Sequence, residues 1–272
     1  MSPEQLTSIC TRVYFAIIAG GFVLLLLLET IFPGEAQLSE SDRTRRVLRN
    51  FALWTVGLFV ADSIVGNMVL DIPGRLFNPT PGLFHVFTLP PITLVVVGVM
   101  LVDFGEYVFH RLSHSVRWLW LIHAVHHTDD RLDVATALRF HPGETTINVA
   151  WKAAFLWLLG LPLWLIAVRG PLMVTSSYLQ HANLRTPEWL DRPLRWVFMT
   201  PRLHRVHHSA DSTENNSAFG EIFSFWDRLF GTLHAPPQRA ITYGLPNLRG
   251  DRWHTFAGML TAPLATRRMP QL

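Results

Sequence analysis

Cysteine is almost absent: Cys10 stands alone in 272 residues. That excludes an internal disulfide framework, a cysteine-based zinc site and an iron–sulfur cluster on this chain. Charge is also scarce, with 16% of residues ionisable as Asp, Glu, Lys or Arg, against about 25% in an ordinary soluble domain. Lys152 is the sole lysine, so the formal charge of +3 is carried by arginine. No basic run interleaves with aromatics on a polar segment, which argues against nucleic-acid binding. Three further motifs are missing: a Gly-x-Gly-x-x-Gly loop, the zinc-protease His-Glu-x-x-His, and the Glu-x-x-His pairs of soluble di-iron bundles.

Apolar residues are abundant instead. They make up 49% of the chain, with ten Trp and eighteen Phe, and aromatic rings favour membrane–water interfaces. The first long run, Val13 to Leu28 with Ile31 and Phe32, can cross a hydrocarbon core of about 30 Å. A cleaved signal peptide needs a basic start and a small-x-small cleavage site. Only Arg12 precedes this run and Glu-Thr-Ile-Phe-Pro-Gly follows it, so a retained anchor is the better reading. A second run spans Val47 to Leu70, with Asp62 and Asn67 expected to face the bundle. The third, Leu83 to Val102, contains Pro90-Pro91, where a bend is expected. A fourth, Val149 to Val168, followed by Arg169-Gly170-Pro171 and Leu172 to Leu179, predicts a helical hairpin over 149–180 that dips into the membrane and returns.

The expected fold is therefore all-α. It is a polytopic membrane bundle of about four spans, the hairpin included, forming one membrane-embedded domain over residues 1–272. Transmembrane helices occupy 13–102, a histidine-rich catalytic region 103–232, and a tail 233–272. Arg43, Arg45, Arg46 and Arg49 lie between the first two spans, which places that loop in the cytoplasm by the positive-inside rule. Alternating crossings then put 103–148 and 181–272 on the same cytoplasmic side as a helical cap.

Histidine carries the chemistry. Eight of the thirteen fall in His110-x-x-x-His114, His123-x-x-His126-His127 and His204-x-x-His207-His208. Pairs at i, i+3 and i, i+4 share one helix face, and imidazole ligates iron, zinc, copper or nickel. Since one catalytic ion takes about three protein ligands, eight imply two ions. His181 follows the hairpin on the same side as the clusters, and His141 sits in Phe-His-Pro-Gly-Glu; both join the candidate ligands. His85, His234 and His254 stand apart and are left out. Asp103 and Glu106 share a helix face with His110 and His114. They would either accept a ring N–H from a ligand or pair with Arg111. A histidine-lined transport path would place its histidines in mid-membrane, whereas these gather at helix ends. A non-catalytic protein with a structural metal is the remaining alternative class. Asp62, Asn67, Trp151, Trp157 and Trp164 are candidates for shaping a substrate channel, with ordinary packing and interface anchoring as the competing explanation.

These motifs carry a resemblance. The order HxxxH, HxxHH, Phe-His-Pro-Gly-Glu, Gln180-His181-Ala-Asn183, HxxHH is similar to that of the fatty acid hydroxylase/sterol desaturase superfamily. So are Thr200-Pro-Arg-Leu-His204, Asn215-Asn216-Ser-Ala-Phe219-Gly220 and Phe225-Trp226-Asp227 to Thr232, over about Asp103 to Thr232. The resemblance implies an integral-membrane, non-haem di-iron oxygenase that uses O2 and external electrons. It implies two Fe ions held by His110, His114, His123, His126, His127, His204, His207 and His208, with His181 and His141 completing the shell. Asn216 and Asp227 would support them. The family often has Tyr or Phe directly after the second Asn of this stretch; here Ser217-Ala218 intervene, which leaves the separate roles of Asn215 and Asn216 open. The implied reaction is hydroxylation of a fatty-acyl or sterol-like C–H bond, with desaturation on the same site as the alternative. The lipid substrate lies in the membrane, and electrons come from a separate reductase, ferredoxin or cytochrome.

Overall fold

The structure, a computed structural model, describes residues 3–36, 38–66, 82, 84, 89–161, 164–237 and 239–267. The first helix, α1 (Pro3–Ile31), is followed by α2 (Glu40–Ala61), which continues as a π-helical turn over Asp62–Gly66. Ser39 starts α2 by accepting from the Asp42 N–H, and Glu40 and Asp42 favour the positive end of its dipole. The third helix, α3 (Pro91–Ser115), carries Asp103, Glu106, His110 and His114 without a break. Pro90-Pro91 begin it rather than bending it, because a proline in the first turn removes only an N–H that lacks a partner anyway.

Helices α4 (Arg117–His127), α5 (Pro142–Leu159) and α6 (Trp164–His181) complete the large elements. The expected hairpin is the α5–α6 pair, but its turn is not Arg169-Gly170-Pro171, which lies inside α6. Helix α5 stops earlier, at Gly160 in the left-handed region (φ 69°). There Gly160 N–H donates to Trp157 O and Leu161 N–H to Leu156 O, a glycine stop that a side chain would strain. Arg169 instead holds α6 to its surroundings: its buried guanidinium pairs with Asp103 of α3 and with Glu221. The cap contains α7 (Glu188–Leu194), α8 (Pro201–His207), α9 (Ser212–Asn215), α10 (Phe225–Leu229) and α11 (Phe256–Thr266). Single 3₁₀ turns span Val134–Leu138 and Asp251–His254. Among the described residues there is no named strand, only isolated bridges such as Pro33 with Leu184.

Among the described residues, three helices are long and apolar enough to cross a membrane: Arg12–Ile31, Glu40–Gly66 and Ile92–Ser115. Only 11% and 22% of the most apolar windows of the first two are buried in the protein. Phe15, Leu24 and Phe59 stand exposed there, an apolar surface that suits lipid rather than water. Helices α5 and α6 are not among these three. Asp62 is exposed rather than turned into the bundle, and Asn67 and His85 lie outside the described residues.

Packing brings the functional ends together. Helix α2 lies on α5 and α1 on α6. The first pair approaches closely because Gly57 faces Thr145, where a Cβ would come within 2.9 Å of the hydroxyl oxygen. Leu53, Val125, Met259 and Ala262 tie α2, α4 and α11 into one cluster, while Val102, Leu156 and Leu165 tie α3, α5 and α6. Buried Arg46 of α2 bonds Asp129, Asp133 and Thr136 just beyond α4. Buried Arg139 reaches the Val125 carbonyl, the Thr128 hydroxyl and the Trp253 carbonyl. Together they fix the segment that follows the second histidine cluster. The C-terminal ends of α3, α4 and α6 thereby meet α8.

Candidate metal centre

Each histidine arrives on a helix end for a local reason. His110 and His114 are one turn apart on the last turns of α3. His123, His126 and His127 close α4, beyond the turn that Val116 makes in extended conformation. Thr200-Pro201 starts α8, so His204, His207 and the terminating His208 turn inward together. His181 is the last residue of α6.

The side chains sort into two groups, each with its ligand atoms within 4.8 Å of one another: His110, His114, His123, His127 and His207; and His126, His181, His204 and His208. In the second group His181 Nε2 stands 3.1 Å from His126 Nε2, 2.9 Å from His204 Nε2 and 3.2 Å from His208 Nε2. In the first, the Nε2 atoms of His123 and His127 are 3.2 Å apart. Two donors each about 2.0–2.1 Å from one ion stand roughly 2.9–3.4 Å apart across coordination angles between a right angle and a tetrahedral one. The spacing fits a shared cation.

The outward nitrogens say the same. His110 Nδ1 is 2.9 Å from Phe219 O, His207 Nδ1 2.8 Å from Ser217 O, and His181 Nδ1 2.7 Å from Ser177 O. His123 Nδ1 is 2.6 Å from a Glu144 carboxylate oxygen. An acceptor on Nδ1–H leaves Nε2 as a lone pair, and these lone pairs face one another. The Nε2 atoms of His110 and His207 are buried without a hydrogen-bond partner. Facing lone pairs in a dry interior call for a cation between them. Burial, reinforced by neighbouring histidines, holds His126, His127, His204 and His208 well below the usual imidazole range. Burial takes His181 down to about 4 and His207 to about 3. Neutral imidazole is the ligating form.

The structure does not bring His141 to either group. It caps α5, with Nδ1 accepting from Gly143 N–H at 3.0 Å. Asp103 and Glu106 touch no histidine and do not pair with Arg111. Asp103 accepts from Ile222 N–H, Phe223 N–H and the Trp226 indole, besides Arg169. Glu106 pairs with Lys152 and accepts from Asn148. Asp227 works one step removed: it accepts from Phe219 N–H and Gly220 N–H, both at 2.8 Å, and from Thr232. That pins the loop whose Ser217 and Phe219 carbonyls orient His207 and His110. The Asn216 amide donates to Ser212 O, and Asn215, left open by the sequence, places its amide 3.1 Å from His127 Nδ1. Glu144 was missed by sequence reasoning, although it closes the Phe-His-Pro-Gly-Glu phrase. Phe140 of the same phrase stacks on His126 at 4.4 Å.

A cavity of about 270 Å³ opens beside the histidines. Its walls include His110, His123 and His126 together with Tyr14, Trp54 and Leu58 of the first two membrane helices. Trp151, expected near a channel, instead donates to Gly105 O, and Trp157 is exposed. The Trp164 side chain lies outside what the structure describes. Asp129, Asp130 and His254 form a further acidic group, but Asp129 is spent on Arg46.

The profile of the family described as "Fatty acid hydroxylase" matches residues 95–232. The chain is 40% identical over 148 residues to ornithine lipid hydroxylase OlsE of Rhizobium tropici, covering 54% of this chain and 44% of that one. It is 32% identical to alkylglycerol monooxygenase of Danio rerio over 268 residues, covering 84% and 56% respectively. It is 30% identical over 153 residues to cholesterol 25-hydroxylase-like protein 1, member 2, of Danio rerio, covering 52% of each. The chain thus spans about half the length, or less, of these relatives. No solved structure matches.

Proposed function

The chain belongs to the fatty acid hydroxylase family, and from that premise we propose that it is a membrane-bound oxygenase that hydroxylates a lipid C–H bond with O2 and external electrons. The observation that carries the reading is the pair of buried histidine groups beside a cavity whose walls join histidines to apolar residues of the membrane helices. The five histidines of the first group and the four of the second would each hold one iron ion. Bound iron supplies the activation of O2 that an unactivated C–H bond requires. Nothing in the two groups is anionic, and Glu144 on His123 adds the carboxylate that raises ligand basicity from outside.

The chain's own residues do the rest. Ser217, Phe219 and Ser177 hold ring protons on Nδ1 through their carbonyls, so that the Nε2 atoms of His207, His110 and His181 stay free to ligate. The apolar wall of Ile18, Trp54 and Leu58 admits a hydrocarbon from the bilayer and keeps water from the reacting carbon. Electrons come from a separate reductase, ferredoxin or cytochrome. The arginine-bearing first turns of α2 sit at the histidine end of the bundle, where Arg46 bonds Asp129. By the positive-inside rule that end is cytoplasmic, with three crossings and the α5–α6 pair dipping between them. Desaturation uses the same groups and remains the second outcome of the test.

That test is untargeted lipid mass spectrometry of host membranes with the active chain and with its His126→Ala form. A lipid class heavier by one oxygen only with the active chain supports hydroxylation. A class lighter by two hydrogens converts the reading to desaturation. Unchanged lipids from iron-loaded protein supplied with reductant and lipid extract would reject both.

A further inference from the structure

Within the otherwise apolar cavity the wall facing α3 is polar in a regular way. Glu144, Asn148 and Lys152 follow one another at i, i+4 and i+8 on α5, and all three line the cavity. Opposite them Glu106 stands one turn before His110 on α3, and one turn of helix advances about 5.4 Å. Lys152 Nζ lies 3.2 Å from Glu106 Oε2 and 2.5 Å from Asn148 Oδ1, while Asn148 Nδ2 donates to Glu106 at 3.0 Å. The Glu106 and Lys152 side chains are 5% and 16% exposed. One oxygen of Glu144 bonds His123, and the other, Oε2, is buried with no partner.

An ion pair at such depth rarely adds stability over an apolar pair of the same volume, and ionisable groups among membrane helices mark sites of function. Lys152 is also the sole lysine of a chain that otherwise uses arginine, and an ammonium is a compact donor with three rotatable hydrogens. An unpartnered buried carboxylate oxygen lies on the same face. For a lipid that is hydrocarbon throughout, these groups would have to be desolvated against its methylenes without return.

We infer that Glu106, Asn148 and Lys152 form a recognition site for the polar headgroup of the substrate, which is a lipid carrying both a hydrogen-bond acceptor and a donor close to the carbon that is oxidised. Lys152 and Asn148 donate to the acceptor, Glu106 and the free oxygen of Glu144 accept from an ammonium or hydroxyl, and the tail lies along Tyr14, Ile18 and Leu58. The site rests on the oxygenase reading above and narrows its substrate from lipids in general to polar-headed ones. With the headgroup one to two helical turns below His110, the oxidised carbon is within a few bonds of the headgroup and not far along the tail.

The test uses the full chain in nanodiscs with three probes: a lipid with an α-amino-acid headgroup, a 1-O-alkylglycerol, and cholesterol. Wild type is compared with Lys152→Met, Lys152→Arg and Glu106→Gln for KM and kcat, iron content, and the melting-temperature rise each probe gives to iron-free protein. The inference expects Lys152→Met and Glu106→Gln to keep their iron and to raise KM for the amino-acid-headed lipid at least tenfold, with kcat less affected. Lys152→Arg should recover most of that loss, and the melting-temperature rise from that lipid should vanish in Lys152→Met. Wild-type KM and melting-temperature rise in Lys152→Met would overturn it, as would equal loss of iron in Lys152→Met and Lys152→Arg, which would mark a strut between α3 and α5. If wild type oxidises no probe, the oxygenase reading fails by itself. The probe-dependent melting shift of iron-free protein then still decides whether the polar site exists.

Discussion

Replacing Glu144 tests whether this centre is held from outside its ligand set. The carboxylate stands 2.6 Å from His123 Nδ1, and both side chains are buried. Removing such a partner from a ligating histidine costs about 10–100-fold in metal affinity, or about 1.4–2.7 kcal/mol. Glu144→Ala should fall near the upper end, because it also leaves His123 Nδ1 unsatisfied in a dry interior. Glu144→Gln keeps an acceptor and the ring tautomer but loses the charge, so it should fall near tenfold. Glu144 also sits in the first turn of α5, where a negative charge stabilises the helix by about 0.3–1 kcal/mol. Both variants lose that contribution equally, so the difference between them reports the bond to His123. The assay is iron retained by purified protein against a graded chelator, with helical content measured in parallel. A Glu144→Ala protein that keeps wild-type helicity and releases iron at the wild-type chelator concentration would refute the reasoning.

Three further outcomes follow from the same geometry. His207→Ala should empty the first group and leave the second, and His204→Ala the reverse, so elemental analysis of either should read about one iron per chain and no product should form. Asp227→Ala strips acceptors from Phe219 N–H, Gly220 N–H and Thr232; it should destabilise the protein by about 3 kcal/mol and weaken iron in the first group before the second, read by chelator titration. Acidifying the metal-free protein should lower its melting temperature as pH falls from about 6.5 towards about 4. His181 and His207 are held down to about 4 and about 3 by burial, so in this window the unfolded chain takes up protons that the folded one refuses, and stability falls with falling pH.

The histidine spacing was the most legible feature, because i, i+3 and i, i+4 repeats translate directly into one helix face, and the structure gathers all eight clustered residues with His181. His141 shows where that logic stops. A lone histidine before Pro-Gly is as well suited to capping a helix as to ligating, and its Nδ1 is occupied by the Gly143 N–H. Asp103 and Glu106 show the same limit for carboxylates. Sharing a face with His110 says nothing about which way a flexible acid turns, and both turn to neighbouring segments. Backbone carbonyls were invisible, since Ser217 and Phe219 act through atoms that every residue has. Glu144 was within reach: an acid in the first turn after His-Pro-Gly lies where α5 meets α4. Among the helices, the long apolar runs placed α1, α2 and α3. The turn at Arg169-Gly170-Pro171 was misplaced because Gly160, with its left-handed φ, is the stronger stop, while Arg169 is held inside α6 by Asp103 and Glu221.

The most direct test of the account supplies isotopically labelled O2 to purified, iron-loaded protein in nanodiscs of host lipid, with a chemical reductant and an electron-donor protein. Wild type should give a lipid that carries one labelled oxygen atom per turnover, and His207→Ala none. A product whose oxygen comes from water, or labelled lipid formed equally by His207→Ala, would contradict it.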